Sequence, residues 1–565
     1  MGGDRDPVTL IRQSRGREAG NPSHVRRITG RAAVAWTLAA AVPLAFVGVF
    51  FAWPVASIVA RGLLPDGVLD IAGILDVLGR PRTQRIIGFT IGMAAAATAI
   101  TLVLGMPVAY VLSRLRFRGR AVLRAAVLVP FVLPTVVVGI AFRALLRDTP
   151  FDGSLAAILA ALVFFNVAVV ARTVAVSWES LDARQEEAAR VLGAGPVRVF
   201  VTLTLRRLAP SIAAAASIVF LFCSTAFGTV LVLGGARYAT IETEIWLLTT
   251  QFLDLRAASV LSIAQLVVVV LLLVVTARVR VRSTAQRRSF ATRRPRRSDA
   301  PVIAAAALTG IALMVPLAAL VRRSFEDQGG FGVGNYLALA STGDRNALAV
   351  TPWQALGNSL GFAAAATGVA MLVGLIACLL LSRTPRAPGA RRVLDLLDGA
   401  LMLPLGVSAV TVGFGFLITL NTPPLDLRTS PVLVPIAQAL VAVPLVVRTL
   451  LPVLRSVGSR MRDAASTLGA APWRVILTID LGVAGRAALA ATGLAFTVAL
   501  GEFGATTFLS RPDAATLPVV IYRLIGLPGG DNAGMATSAS VLLAAVTVAV
   551  VALVERLRVD TAGAF

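Results

Sequence analysis

The sequence contains no lysine, and all 53 of its basic residues are arginine. The phosphate-binding loop of many ATPases ends in Gly-Lys-Ser or Gly-Lys-Thr, and its lysine reaches the terminal phosphates of ATP. A chain without lysine cannot form that loop. Any ATP hydrolysis on which this protein depends is therefore expected on a separate subunit, and no cofactor is expected to bind to this chain.

Cysteine and histidine are almost absent as well. The two cysteines, Cys223 and Cys378, both lie in apolar segments, where buried free thiols are the simplest interpretation and a disulfide framework is not supported. The single histidine, His24, lies in the polar amino-terminal segment. Catalysis by histidine and a metal site built from these residue types are not supported. We predict no catalytic residue and expect that the chain is not an enzyme.

Charged residues are scarce, at 15% of the 565 residues, whereas hydrophobic residues make up 57% and the mean hydropathy is +0.82. An ordinary soluble domain does not need so apolar a composition. The formal net charge of +24 does not indicate binding of nucleic acid, because the arginines are spread over short loops and are not gathered on one face with aromatic residues. Contact with water and with anionic membrane lipid explains these loops more simply.

Twelve apolar segments follow one another along the chain, each long enough to cross the hydrocarbon core of a bilayer. Lipid offers no hydrogen bonds to backbone groups, so each segment is expected to be helical. The predicted fold is therefore an all-α polytopic membrane protein of about 12 transmembrane helices. The segments lie near residues 33–58, 86–111, 122–146, 155–177, 208–233, 258–278, 301–321, 357–381, 394–420, 431–454, 484–509 and 534–554.

Arginine marks every second loop between these segments. Basic runs occur in the amino-terminal tail, at 112–124, in the linker at 278–297, at 383–392 and near the carboxyl terminus. With twelve spans all of these runs fall on one side of the membrane, and arginine-rich loops are typical of the cytoplasmic side. We therefore expect both termini to be cytoplasmic.

One short motif occurs twice, each time in a polar break between apolar segments. An acidic residue and two alanines are followed by a glycine, which favours the left-handed conformation that ends a helix. A proline follows three residues after the glycine, at Pro196 and Pro472, and proline suits the first turn of a new helix. The motif residues are Glu187, Ala188, Ala189 and Gly193 in the first copy, and Asp463, Ala464, Ala465 and Gly469 in the second.

The two copies belong to a longer internal repeat. They lie 276 positions apart, and the same shift carries Arg172-Thr173 onto Arg448-Thr449 and Phe227-Gly228 onto Phe503-Gly504. A register held without gaps over roughly 75 residues is a true repeat. We predict two homologous six-helix halves. The predicted domains are a cytoplasmic tail at 1–31, transmembrane domains at 32–278 and 300–558, a linker at 279–299 and a tail at 559–565.

Acidic residues in or near the spans are the remaining candidates. Glu502 lies inside an apolar span, where an ionisable group is a functional hypothesis by default, and a structural carboxyl group is the competing interpretation. Its equivalent in the first half is Ala226. Glu242, Glu244, Trp246 and Asp254 follow the fifth span. A solvated outer face is the favoured interpretation for them, and contact with a substrate or a binding protein is the alternative.

The repeated motif resembles the acidic-Ala-Ala-x-x-x-Gly loop of permeases of ABC importers, and the chain after residue 31 resembles a fused two-half permease of the MetI-like kind. In that family the loop docks on an ATPase subunit. The resemblance implies two ATPase copies, an extracytoplasmic binding protein and a place in the bacterial cell membrane. The stretch Phe227–Gly235, continuing to Ile245, is more similar to thiamine permeases than to ferric-iron permeases, and ferric iron remains the alternative cargo.

Two other classes compete with this interpretation. A secondary transporter also often has twelve spans in two related halves, but it has no use for paired acidic-Ala-Ala helices. A membrane enzyme is the third possibility, and the spans contain no cluster of acid, base or metal-binding residues that would support it.

Overall fold

The computed structural model describes residues 30–65, 67–235, 237–280, 292–327, 330–383, 388–421, 426–427 and 430–559. The predicted cytoplasmic tails and most of the linker lie outside these residues, apart from a few residues at their edges. The described chain is almost entirely helical, which confirms the all-α prediction; its strands are two residues each, β1 (Glu326–Asp327) and β2 (Gly330–Phe331), in an antiparallel hairpin.

The described residues of the first half form thirteen α-helices. They are α1 (Gly30–Val47), α2 (Trp53–Leu63), α3 (Ile71–Gly79), α4 (Pro81–Arg114), α5 (Arg120–Val132), α6 (Thr135–Leu146), α7 (Leu155–Glu179), α8 (Ala183–Val191), α9 (Pro196–Val199), α10 (Leu205–Ser224), α11 (Gly228–Gly234), α12 (Ile241–Thr250) and α13 (Leu255–Arg280). One π-helical turn, Gly48–Ala52, joins α1 to α2, and another, Phe200–Thr204, joins α9 to α10.

The second half repeats this order with small changes. Its helices are α14 (Ala300–Ser324), α15 (Gly334–Leu337), α16 (Pro352–Leu381), α17 (Pro388–Gly406), α18 (Ala409–Thr419), α19 (Leu433–Ser456), α20 (Ser459–Thr467), α21 (Pro472–Val475), α22 (Leu481–Gly501), α23 (Thr506–Leu509), α24 (Leu517–Gly526) and α25 (Gly530–Val559). A π-helical turn at Ile476–Asp480 joins α21 to α22, at the position equivalent to the turn between α9 and α10.

Within the described residues, ten helices are long and apolar enough to cross a membrane, and two bent pairs raise the number to as many as 12. The pairs are α5 with α6, bent by 110°, and α17 with α18, bent by 101°. In the first half the rings of Tyr110, near the carboxyl end of α4, and Trp178, near the carboxyl end of α7, lie 5.3 Å apart. The two helices are therefore parallel and end on the same side. The pair between them must therefore return the chain across the membrane, which makes it a broken span. The same argument applies to α17 and α18, between the parallel helices α16 and α19.

The fifth predicted span of each half is wrong at its carboxyl end. The segment predicted at 208–233 is helical only as far as Ser224, and the segment at 484–509 only as far as Gly501. The chain breaks after each of these residues and continues as the short helix α11 or α23. Apart from Glu502 in the second break, the sequence stays uncharged and largely apolar through both breaks, so hydropathy does not reveal them.

The repeat is also visible in the packing. A Cβ atom built on Gly105 of α4 would lie 2.7 Å from Val170 of α7, and one built on Gly374 of α16 would lie 2.6 Å from Val446 of α19. Glycine at these positions lets each pair of helices approach closely, as small residues do in membrane helix packing. Val170 and Val446 are 276 positions apart, so both halves use the same helix contact.

The halves interlock through their first helices. From the first half, α1 packs on α16 and α2 packs on α18, while α14 of the second half packs on α4 and α6. Gly415 in α18 allows this approach, since a Cβ atom there would lie 2.9 Å from Pro54 in α2. The first helix of each half therefore packs against the other half.

Candidate functional site

The two motif copies form short helices on the same side of the protein, here called the motif side. Asp182 begins α8, where its side chain accepts a hydrogen bond from the backbone N–H of Arg184 at 3.0 Å. Gly193 and Gly469 have φ of +86° and +84°, which confirms the predicted left-handed ends of α8 and α20. Backbone N–H groups of Ala194 and Ala470 donate to Ala189 and Ala465, so both helices end in the same hydrogen-bonding pattern.

The predicted motif residues face solvent. Glu187 and Ala188 are exposed and Ala189 is half-buried, and the equivalents Asp463, Ala464 and Ala465 have the same exposure. An apolar tip follows each helix: the side chains of Leu192 and Leu468 are 88% and 89% exposed. Exposed apolar groups beside an acidic residue are typical of an interaction surface. The two surfaces are equivalent under the repeat.

A buried charge network attaches α8 to the membrane helices. Arg114, at the end of α4, lies 3.6 Å from the carboxylate of Glu186, the residue before the motif acid. The hydroxyl of Thr204, in the π-helical turn, donates to the same carboxylate oxygen at 2.9 Å. We call Arg114, Glu186 and Thr204 the first anchor, because they attach α8 to the membrane helices. The acid of this anchor, Glu186, belongs to the motif helix itself.

The equivalent network in the second half has its charges exchanged. Arg383 follows α16, as Arg114 ends α4, and both stand in a Leu-Ser-Arg sequence. Arg462 occupies the position of Glu186, and Asp480 occupies that of Thr204. The fully buried Asp480 binds Arg383 at 2.5 Å and Arg462 at 2.8 Å. Here the acid belongs to the membrane helix, and the motif helix supplies a cation.

The end of the linker is attached to the first anchor. The backbones of Arg114 and Arg116 exchange hydrogen bonds with the backbone of Arg293 at 3.0 and 2.9 Å. The Arg293 guanidinium binds both carboxylate oxygens of Asp299 at 2.7 Å and the Tyr110 hydroxyl at 2.9 Å. The interpretation of the linker as a simply solvated connector is wrong for these residues.

Glu502 lies in the break after α22. Its carboxyl group is buried and accepts hydrogen bonds from the backbone N–H groups of Ala505 at 2.7 Å and Thr506 at 3.0 Å, and from the Thr506 hydroxyl. These bonds hold the chain in its non-helical path and start α23. A Cβ atom on the neighbouring Gly504 would lie 3.0 Å from Ala409, at the bend of the α17–α18 pair.

Breaks and bends meet in one layer between the halves, here called the central layer: residues 133–135 and 407–409 at the bends, and 225–228 and 502–505 at the breaks. A Cβ atom on Gly228 would lie 2.6 Å from the Thr135 hydroxyl and 3.1 Å from the Phe503 ring. One on Gly501 would lie 3.3 Å from Pro134. Irregular backbone at membrane depth is tolerated where protein buries it or where it lines a path.

Four aromatic rings close the central layer across the two halves. Phe227 and its repeat equivalent Phe503 stack with 5.5 Å between ring centroids and 23° between ring planes. Trp246 of α12 and its equivalent Tyr522 of α24 meet edge to face at 6.1 Å. Each of these two also contacts the phenylalanine of its own half, at 6.4 and 5.6 Å.

The prediction of a solvated outer face for the residues after the fifth span is wrong for Glu242, Glu244 and Trp246, the last of which packs among the four rings. Glu244 is 4% exposed and forms two hydrogen bonds with Arg82, at 2.7 and 2.8 Å. Glu242 is fully buried and accepts a hydrogen bond from the Ser408 hydroxyl at 2.6 Å. Both belong to α12, which folds back against the membrane helices instead of forming a surface loop. Asp254 lies at the far end of that helix, 3.5 Å from Arg80.

Sequence reasoning missed the burial of Glu242, both anchors, and the four rings of Phe227, Trp246, Phe503 and Tyr522, here called the ring cluster. A signal for the rings was present, since the repeat aligns Phe227 with Phe503, and equivalent residues on a two-fold axis contact each other. The anchors carried no such signal because their charges change places between the halves. Among the described residues, no group of three or more His, Cys, Asp or Glu side chains could hold a metal ion.

Comparison with known proteins adds the family. Residues 101–288 match the protein family described as "Binding-protein-dependent transport system inner membrane component". The molybdenum transport system permease protein ModB of Escherichia coli is 34% identical over 198 residues, which cover 32% of this chain and 82% of ModB.

Two further relatives align with most of the chain. The thiamine transport system permease protein ThiP of Brucella abortus is 25% identical over 486 residues, which cover 81% of this chain and 85% of the relative. ThiP of Escherichia coli is 26% identical over 467 residues, covering 78% and 83%. These alignments are too long to fit within either half alone.

Proposed function

Because the chain belongs to the family of inner membrane components of binding-protein-dependent transport systems, and is thus a multi-pass permease of an ABC importer in a bacterial membrane, we propose that it transports thiamine or a close derivative. The observation that carries this proposal is the similarity to thiamine permeases across both halves of the chain. The relative named for molybdenum transport aligns with about a third of the chain.

The carboxyl groups at the central layer support an organic cation over an oxyanion as the cargo. Thiamine carries a permanent positive charge on its thiazolium ring. In the described part of the chain, the layer contains Glu502 and contacts Glu242 through Ser408, and both groups are acidic. Aromatic ring faces also attract cations. Glu502 acts on the path by fixing the break in α22, and ferric iron remains the alternative cargo.

Two copies of a separate ATPase subunit dock on the motif side, one on each motif helix. The exposed acids Glu187 and Asp463 and the apolar tips at Leu192 and Leu468 support this proposal. Closure of the ATPases moves α8 and α20 together, and the anchors at Arg114 and Asp480 pass this motion to the membrane helices. The central layer then opens to the opposite side, where an extracytoplasmic binding protein delivers the cargo. The ATPases bias two states of one permease.

Uptake measurements test the cargo. In a strain unable to make thiamine, deletion of this chain is expected to abolish high-affinity uptake of labelled thiamine, and the wild-type gene is expected to restore it. Normal thiamine uptake in the deletion strain would refute the cargo, and a simultaneous defect in growth on ferric iron would assign iron instead.

Labelling of single cysteines tests the orientation, with both termini and the motif side in the cytoplasm. In a chain with Cys223 and Cys378 replaced by serine, Leu192→Cys is expected to resist a membrane-impermeant maleimide in intact cells. Phe151→Cys and Leu253→Cys, in exposed loops on the opposite side, are expected to react. Reaction of Leu192→Cys from outside would overturn the orientation.

A further inference from the structure

Glu242 and the ring cluster belong to one continuous surface. Glu242 and Trp246 lie one turn apart on α12 and therefore face the same direction. Ser408, which donates to Glu242, precedes Ala409, and Ala409 packs beside Gly504 and hence beside Phe503. The carboxyl group thus lies at the edge of the rings, where the first half meets the bend of the second.

The polar atoms of this surface are incompletely satisfied. Ser408 donates to one oxygen of Glu242, while the other oxygen is buried and has no hydrogen-bond partner. The indole N–H of Trp246 is also buried without a partner. Burial of polar atoms without partners opposes folding. Their presence beside a contact between the two halves indicates that another state of the protein supplies the missing partner.

The apolar part of this surface resembles a cation-binding site in which the two opposing ring faces contact each other instead of a ligand. Phe227 and Phe503 present ring faces to each other at 5.5 Å. A flat ring inserted between two others needs about 7 Å between them, twice the usual carbon contact distance. A small separation of the halves at this point would therefore open a slot between two ring faces, with Trp246, Tyr522 and Glu242 around it.

We propose that Glu242 and the rings of Phe227, Trp246, Phe503 and Tyr522 form a binding site for a flat organic cation, which occupies it when the two halves separate. This proposal rests on the proposed thiamine cargo and assigns its recognition within the membrane. The rings hold the cation by their faces, and the free oxygen of Glu242 compensates its charge. Glu502 is not included in this site, because its carboxyl group accepts hydrogen bonds from the backbone N–H groups of Ala505 and Thr506 and from the Thr506 hydroxyl, which hold the break after α22.

Transport in proteoliposomes tests this site, with the chain reconstituted together with its ATPase and its binding protein. Glu242→Gln keeps the size of the side chain and its ability to accept from Ser408, and removes only the charge. We expect uptake of labelled thiamine below saturation to fall about tenfold or more, as loss of a desolvated contact to a cation implies. ATP hydrolysis stimulated by the loaded binding protein is expected to stay within about twofold of wild type, a change below 0.5 kcal/mol.

Matched variants separate binding from folding. Glu244→Gln changes a buried acid two residues away that binds Arg82 instead of facing the rings, and its uptake is expected to stay near the wild-type level. Tyr522→Leu removes one of the four rings of the site and is expected to lower uptake of labelled thiamine without lowering hydrolysis.

The outcomes distinguish the site from the cargo. Normal uptake by Glu242→Gln, with thiamine transported by wild type, would overturn the site alone. Equal loss of uptake and hydrolysis would also overturn it, because Glu242 would then hold the halves together without binding cargo. Failure of the wild-type system to transport thiamine would refute the cargo and, with it, this site.

Discussion

The two halves share a scaffold and differ in where they place charge. Both have a parallel helix pair tightened by glycine, a bent span, a broken span and a motif helix ended by glycine. In the first half the motif helix carries the acid of its anchor, Glu186, and in the second half the acid is Asp480 on the membrane helix. In the central layer Glu502 of the second half is equivalent to Ala226 of the first half. The scaffold therefore sets the positions of the parts, and the charges make the two halves different.

The largest difference in stability between equivalent mutations in the two halves is expected when the acid of the second anchor, Asp480, is removed. Asp480→Asn leaves the guanidinium groups of Arg383 and Arg462 beside a neutral group at a fully buried position, and breaking a buried pair costs about 3 kcal/mol or more. Thr204→Val, at the equivalent position, loses one hydrogen bond to a carboxylate, about 1.5 kcal/mol. The midpoint temperature of unfolding in detergent should fall more for Asp480→Asn. Equal falls in the midpoint temperature for the two variants would refute the claim that the buried acid of the second anchor is Asp480, at the position that Thr204 occupies in the first.

A charge exchange tests whether the two anchors are interchangeable. Glu186→Arg puts a second cation beside Arg114, and Thr204→Asp puts a second acid beside Glu186, so each single change is expected to destabilise the protein. The double variant rebuilds the arrangement of the second half and should be more stable than the sum of the singles by about 1–2 kcal/mol. Thermal unfolding of the four proteins gives this coupling, and strict additivity would show that the groups do not interact.

Strain at the ends of the motif helices should be equal in the two halves. Gly193→Val and Gly469→Val each force a β-branched residue into a left-handed conformation, at a cost of about 1–2 kcal/mol, although no atom stands within 4 Å of the new Cβ atom. Both variants are expected to insert into the membrane. Less ATPase subunit is expected to co-purify with them than with the wild-type chain. Wild-type recovery and uptake in both would refute the assignment of these helices to coupling.

The smallest effect is expected at the neighbouring Gly195. Its φ is −65° and the space around it is open, and the second half already has alanine at the equivalent position, Ala471. Gly195→Ala should leave ATPase recovery unchanged and serves as the control for Gly193→Val. A loss as large as that of Gly193→Val would mean that side-chain bulk, and not φ, limits docking.

The sequence predicts those parts of the molecule that depend on local pattern. Hydropathy gives the number of spans, since each crosses an apolar layer of fixed thickness. The spacing from Glu187 to Gly193 gives a short helix with a defined end. Composition could not locate the breaks after Ser224 and Gly501, because the chain stays largely apolar through them and the single acid Glu502 does not end the apolar segment.

Other features depend on contacts between distant segments. Glu242 was assigned to a solvated face because loops between spans usually lie at the surface, yet α12 folds inward and buries it. The anchors join residues nearly 100 positions apart, as Arg383 and Asp480 do, and no local pattern contains such a pair. The ring cluster joins the two halves: the repeat aligns Phe227 with Phe503 in the sequence, but their contact forms only when the halves pack together.

Cross-linking between Phe227→Cys and Phe503→Cys tests the central claim most directly, namely that ATPase motion opens the contact between the halves at the central layer. The experiment uses a chain lacking Cys223 and Cys378, in complex with its ATPase, and a short bifunctional thiol reagent. We expect efficient cross-linking without nucleotide and little cross-linking when the ATPases are trapped with ATP and vanadate. Equal cross-linking in both states would contradict the account.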